Sequence, residues 1–125
     1  MISVLKTLFL IGLLALVTAC SILGGAKPSD RLVGTWAYST RSYDEAEVST
    51  RAIRLAEDGL AYEGDFRDDR FGGNQAARWS SVDEGHLVFV ENGGAVHNMG
   101  FAFDGPHELR ILKGDGTVKY WCIRR

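Results

Sequence analysis

Tight-turn signals recur through the second half of this chain of 125 residues. At five places an acidic residue or an asparagine precedes a glycine, namely at Asp58-Gly59, Glu84-Gly85, Asn92-Gly93, Asp104-Gly105 and Asp115-Gly116. Such pairs suit hairpin turns, because both residue types tolerate a positive φ angle. Their recurrence leaves short segments between turns and argues against a helical protein.

The segments between these turns alternate apolar and polar side chains. Leu60, Tyr62 and Phe66 share one parity, for example, while Ala61, Glu63 and Asp65 share the other. A period of two is typical of half-buried antiparallel strands. The sequence predicts eight strands, at residues 33–39, 51–56, 60–66, 76–81, 86–91, 96–103, 107–113 and 117–123.

Successive hairpins predict an all-β fold, an antiparallel up-and-down meander that closes into a small barrel. Closure removes the exposed sheet edges that would otherwise pair with other chains. The interior of an eight-stranded barrel is filled by side chains or holds one small ligand. Two longer connections, residues 40–50 and 67–75, are predicted to be loops that could contact a protein partner.

The first nineteen residues have the layout of a secretory signal. One early charge, Lys6, is followed by an unbroken apolar stretch from Leu8 to Val17 and then by small residues. The sequence Val17-Thr18-Ala19-Cys20 resembles a bacterial lipobox. This resemblance implies cleavage before Cys20, lipidation of its thiol and acylation of the new amine. The alternatives are an ordinary cleaved signal and a membrane helix, for which the stretch is short of the ~20 apolar residues required.

The lipobox divides the chain into a signal peptide (1–19), a lipidated tether (20–31) and a barrel domain (32–125). Two or more acyl chains anchor a protein stably to a bilayer, so membrane association through Cys20 is expected. Ser21, rather than Asp, follows the cysteine, which in the lipoprotein sorting system implies the outer membrane, facing the periplasm. The formal net charge of −2 gives no reason to expect nucleic-acid binding.

Gly34-Thr35-Trp36, on the first predicted strand, resembles the Gly-x-Trp motif of the lipocalins and lipocalin-like small barrels. The resemblance implies that Gly34 allows close packing and that Trp36 fills the closed end of the barrel. It also implies an arginine from the last strand against that tryptophan, either Arg124 or Arg125. The first functional hypothesis is a non-enzymatic envelope lipoprotein whose barrel binds a small hydrophobic molecule or an envelope component.

Aromatic residues are concentrated at the parities predicted to face inward. They are candidates for lining a ligand-binding lumen, but an interior packed with its own side chains is the alternative. A filled barrel would favour an interaction or inhibitor module that acts through its loops. The candidate lining residues are Tyr38, Tyr62, Phe66, Trp79, Phe89, Phe101, Phe103 and Tyr120.

Catalytic and metal-binding motifs are not recognised in this sequence, so no enzyme, metal or cofactor is predicted. The histidines (His86, His97 and His107) fall at different turns and are not expected to meet at one metal. The Asp68-Asp69 pair lies between two arginines, which is typical of a solvated segment. Cys122 lies in an apolar strand and is expected to be a buried, unreactive thiol.

The lipobox interpretation predicts that Cys20→Ser abolishes lipidation and membrane association. Metabolic labelling with a fatty-acid analogue measures this directly. Cys122→Ser is the control and is expected to keep the label. Label retained on the Cys20→Ser protein would show that the cysteine is incidental.

Overall fold

The computed structural model describes residues 28–83 and 85–125, so the predictions on the signal peptide and on Cys20 lie outside the described residues. Two short helices, α1 (Pro28–Leu32) and α2 (Tyr43–Val48), accompany eight strands in this part of the chain. The strands are β1 (Gly34–Ser39), β2 (Arg51–Leu55), β3 (Leu60–Arg67), β4 (Arg70–Asp83), β5 (His86–Glu91), β6 (Val96–Gly105), β7 (Glu108–Leu112) and β8 (Val118–Arg124).

Each strand pairs antiparallel with the next along the chain, and β1 also pairs with β8. The result is the predicted eight-stranded meander, closed into a barrel. Trp36 of β1 lies opposite Ile53 of β2 on one side and opposite Arg124 of β8 on the other. The predicted turn pairs Asp58-Gly59, Asn92-Gly93 and Asp115-Gly116 lie between strands, whereas Asp104-Gly105 ends β6 beside a register shift. Glu84 of the fifth pair lies outside the described residues.

The predicted loop at residues 67–75 is wrong, because β4 begins at Arg70. Asp68 and Asp69 form the turn with φ angles of 52° and 59°, which short polar side chains tolerate. Gly72 and Gly73, which suggested a flexible loop, continue the strand. A Cβ on Gly64 would lie 2.0 Å from the Gly72 carbonyl oxygen, so the two strands approach too closely there for side chains.

The connection at residues 40–50 is confirmed as a break between strands, but it contains α2. Ser42 caps this helix by accepting a hydrogen bond from the Glu45 backbone N–H at 3.1 Å. The helix packs against β1 and β8 and buries Ala46 completely. The Tyr43 ring meets Trp121 edge-on at 5.0 Å, and its hydroxyl donates to Asp104 at 2.6 Å. A helix of six residues is too short for an apolar periodicity to reveal it.

One end of the barrel is closed by a packed cluster around Trp36. Trp36 and Leu32 are fully buried, and the indole N–H donates to the Leu32 carbonyl at 2.9 Å. Trp79, Phe101 and further apolar residues complete this hydrophobic core. The cluster around Trp36 lies where the chain enters β1, at the end opposite Thr40 and Arg51.

The guanidinium of Arg124 lies over the Trp36 ring, 4.2 Å from its centroid, which is the contact that the lipocalin resemblance implies. Its N–H groups donate to the carbonyls of Val33 at 2.9 Å, Arg31 at 2.6 Å and Pro106 at 3.2 Å. Arg125 instead pairs with Glu47 of α2. Arg124 thus joins the segment before β1, the last strand and the β6–β7 turn.

Gly34 has a φ angle of 143°, and a Cβ there would lie 2.7 Å from Nη1 of Arg124. Only glycine adopts this backbone conformation readily, so Gly34→Ala should destabilise the fold by about 1–3 kcal/mol. Gly93→Ala is the matched control, since a Cβ at Gly93 meets nothing within 4 Å. The measurement is the free energy of unfolding by chemical denaturation. Equal stability of the two variants would contradict this account of the closed end.

Candidate functional site

The barrel interior opens into a cavity of about 240 Å³ above the Trp36 cluster. Its deeper wall is apolar and includes Trp36, Leu55 and Leu109. Polar groups enter at the open end, where Thr40 follows β1 and Arg51 begins β2. An apolar cavity of ~150 Å³ already accommodates benzene, so this space is large enough for a small hydrophobe.

A second compartment of about 300 Å³ adjoins the first. The two share Ile53, Glu63, Phe89 and Tyr120 as lining residues. The two interpretations of the interior therefore apply to different parts of the barrel. Side chains fill the closed end, whereas the open end holds the two adjoining compartments of about 240 and 300 Å³.

The predicted lining residues separate into three groups in the structure. Tyr38, Phe89 and Tyr120 line the first compartment, and Tyr62 borders the second. Three others belong to the packed closed end, where the Phe103 ring lies 6.1 Å from that of Trp36. Phe66 lines neither compartment. The three at the closed end are Trp79, Phe101 and Phe103.

The prediction that Phe66 faces the lumen is wrong, because the parity of β3 is the reverse of the one expected. Ile53, a lining residue, lies opposite Glu63, and Glu63 itself lines both compartments. Phe66 instead lies opposite Phe71, whose ring is 4.8 Å from the guanidinium of Arg54. Bulky apolar residues on β3 had suggested the inner face, but the open end of the barrel admits a charged side chain there.

An irregular register between β3 and β4 also changes which residues face the lumen around Tyr62. The pairing of β3 with β4 shifts between Ala61 and Tyr62, where β4 contributes the extra residue Ala76. Both Tyr62 and Ala76 border the second compartment as a result of this irregular stretch. The sequence carries no clear signal for such a bulge.

Charged residues at the mouth are the functional candidates that sequence reasoning missed. Arg51 and Glu63 lie 3.7 Å apart, with more than half of each side chain exposed. The register of β1 and β2 could have identified Arg51, since it shares the parity of Ile53 and Leu55. Lys119 could not have been found this way, because β7 and β8 shift register beside it.

Tyr38 and Tyr120 form an edge-to-face pair at the mouth, with ring centroids 5.1 Å apart. Burial raises the pKa of Tyr38, an effect that Arg51 opposes and Glu63 reinforces. The Tyr38 hydroxyl is therefore protonated at neutral pH and is available as a hydrogen-bond donor. The mouth combines aromatic faces, a hydroxyl and charges of both signs.

The histidines lie at three different places in the barrel. His86 pairs with Gly100, His97 contacts Glu91 at the mouth, and the carbonyl of His107 accepts from the Arg124 backbone. Among the residues that the structure describes, no group of three metal-ligating side chains comes together. In the same part of the chain, the helices are too short to cross a bilayer.

No protein-family model matches this sequence, and the search of curated proteins gives no significant match.

Cys122 lies in the wall of the first compartment and is almost completely buried. Burial raises the pKa of its thiol to about 12. At pH 8 this leaves about one thiol in ten thousand ionised, compared with roughly a quarter for a free cysteine. The Cys20→Ser protein, in which Cys122 is the remaining cysteine, should react very slowly with a disulfide reagent at pH 8. Reaction in denaturant provides the control, and equal rates in both conditions would contradict the buried thiol.

Proposed function

We propose that this protein is a lipid-anchored lipoprotein of the bacterial cell envelope that binds a small hydrophobic molecule in its barrel, without catalysis. The observation that carries the proposal is the cavity of about 240 Å³ behind an open mouth. Its aromatic and aliphatic walls, with polar groups only at the mouth, are typical of small-molecule sites.

The cluster of Gly34, Trp36 and Arg124 supports the assignment to a lipocalin-like group. The guanidinium of Arg124, stacked on Trp36 and hydrogen-bonded to Val33, closes one end of the barrel. A ligand can therefore enter from the other end. The alternative, an interaction or inhibitor module, expected a filled barrel and a loop at residues 67–75. It has less support, because the interior contains space and residues 70–75 belong to β4.

The tether that follows the proposed anchor joins the barrel at its closed end. Cys20 precedes Pro28 by eight residues, a distance of about 28 Å at full extension. Since α1 joins the Trp36 cluster, the tether meets the barrel at the end opposite the mouth. This arrangement favours a carrier that receives its ligand from the periplasm, with the outer membrane as the proposed site of attachment.

Binding to the lumen predicts a dependence on chain length in a series of neutral 1-alkanols. Each buried methylene should tighten binding about fourfold, from ~0.8 kcal/mol per group, until the cavity is full. A bound alkanol at a hundredfold excess over Kd should stabilise the fold by about 2.7 kcal/mol. Thermal shift and calorimetry on the full chain measure both effects.

Two variants test whether the alkanol binds in the lumen. Ile53→Trp adds volume to a side chain that lines both compartments and should shorten the longest alkanol that binds. Val96→Trp, at a position 57% exposed, is the matched control and should leave the series unchanged. Failure of every alkanol to bind, or the same series in both variants, would refute a ligand-binding lumen.

A further inference from the structure

The lumen is polarised along its length. The wall at the closed end consists of Trp36, Leu55 and Leu109. The charged side chains in the lining of this compartment are Arg51 and Glu63, which lie at the mouth. A ligand that fills this space must therefore be apolar at one end and can be polar at the other. Burying a polar tip against Trp36 would cost hydrogen bonds that the wall does not replace.

The mouth carries two cations, each above one ring of the tyrosine pair. Cζ of Arg51 lies 5.5 Å from the Tyr38 ring centroid, and Nζ of Lys119 lies 5.5 Å from that of Tyr120. Since the two rings contact each other, both cations border the same opening. The aromatic contacts hold the two side chains at the rim without neutralising their charge.

The two carboxylates that line the compartments, Glu63 and Glu91, each have a partner at the mouth. Glu91 contacts His97, and Glu63 lies 3.7 Å from Arg51. An exposed pair at that distance contributes little, so an incoming anion can replace Glu63 as the partner of Arg51. Within residues 28–83 and 85–125, Lys119 takes part in none of the ion pairs.

We infer that the ligand is a single-chain amphiphile with an anionic head group, a carboxylate or a phosphate, held by Arg51 at the mouth. The inference rests on the proposed function, because the chain of the amphiphile occupies the lumen. The planar guanidinium donates two parallel hydrogen bonds to such an oxyanion. The protonated Tyr38 hydroxyl, on the same lining, provides a further donor, and Lys119 adds a favourable charge.

Other head groups fit this mouth less well. An ammonium group would lie beside Arg51 and Lys119, and its attraction to Glu63 would compete with the existing pair. An alcohol would form hydrogen bonds but no charge-assisted ones, which are about twice as strong. Binding should therefore rank anionic above neutral and neutral above cationic head groups on the same chain.

The test holds the chain constant and changes the head group. Dodecanoate, dodecyl phosphate, dodecanol and dodecylammonium are titrated below their micelle concentrations into the full-length protein, and Kd is measured by calorimetry. The two anions should bind at least tenfold more tightly than dodecanol. Tighter binding of dodecanoate would assign the head group as a carboxylate, and tighter binding of dodecyl phosphate would assign it as a phosphate.

Arg51→Gln should reduce the affinity for both anions to that for dodecanol, while the affinity for dodecanol changes less than twofold. Arg51→Lys should retain part of the preference, because the charge remains without the fork of donors. Lys119→Gln should weaken anion binding about two- to threefold. Arg78→Gln, an exposed arginine of β4 outside the lining, is the matched control and should have no effect.

Two outcomes would overturn the inference while leaving the lumen as a binding site. One is equal binding of dodecanoate and dodecanol by the unmodified protein, and the other is an anion preference that persists in Arg51→Gln. Binding of neither dodecanol nor the anions would instead refute the proposed function itself.

Discussion

The stack of Arg124 on Trp36 is the interaction on which the rest of the barrel depends. One guanidinium covers the indole and donates to three carbonyls from the entering segment and the β6–β7 turn. It thereby reinforces the junction of β1 and β8, whose free edges would otherwise expose unpaired backbone groups. Trp36 can be fully buried because Leu32 accepts its N–H, which avoids the cost of an unpaired buried donor.

Closure at one end allows the other end to be open. The bulky residues Trp79, Phe101 and Phe103 pack with Trp36, so the largest core side chains lie at the closed end of the barrel. Towards the open end, Tyr38 and Tyr120 are walls around space rather than part of a filled interior. A ligand that fills this space would make dispersion contacts with these walls.

The position of the mouth depends on α2, which lies on the outer wall. The Asp104 carboxylate accepts hydrogen bonds from Tyr43 and from Arg110, and these two bonds, in that order, hold the pKa of Asp104 below its usual value. Arg125 secures the other side of the helix through Glu47. Because α2 connects β1 to β2, these contacts fix the segment between Thr40 and Arg51 beside the lumen.

Turn signals and alternation were sufficient to predict eight antiparallel strands and their order, because hairpin geometry and half-burial are local properties of the chain. The layout before Cys20 is also a local pattern, and the signal peptide that it predicts lies outside the described residues. Tertiary structure decided the parity of β3, the close approach of Gly64 to β4 and the placement of Arg51 and Lys119 at one opening. These features depend on bulges, on register and on the closure of β1 onto β8, which bring together residues that are distant in sequence. The pairing of a strand with its neighbours decides which of its faces lines the lumen. For that reason Glu63 lines the lumen and Phe66 does not, the reverse of what alternation alone predicts.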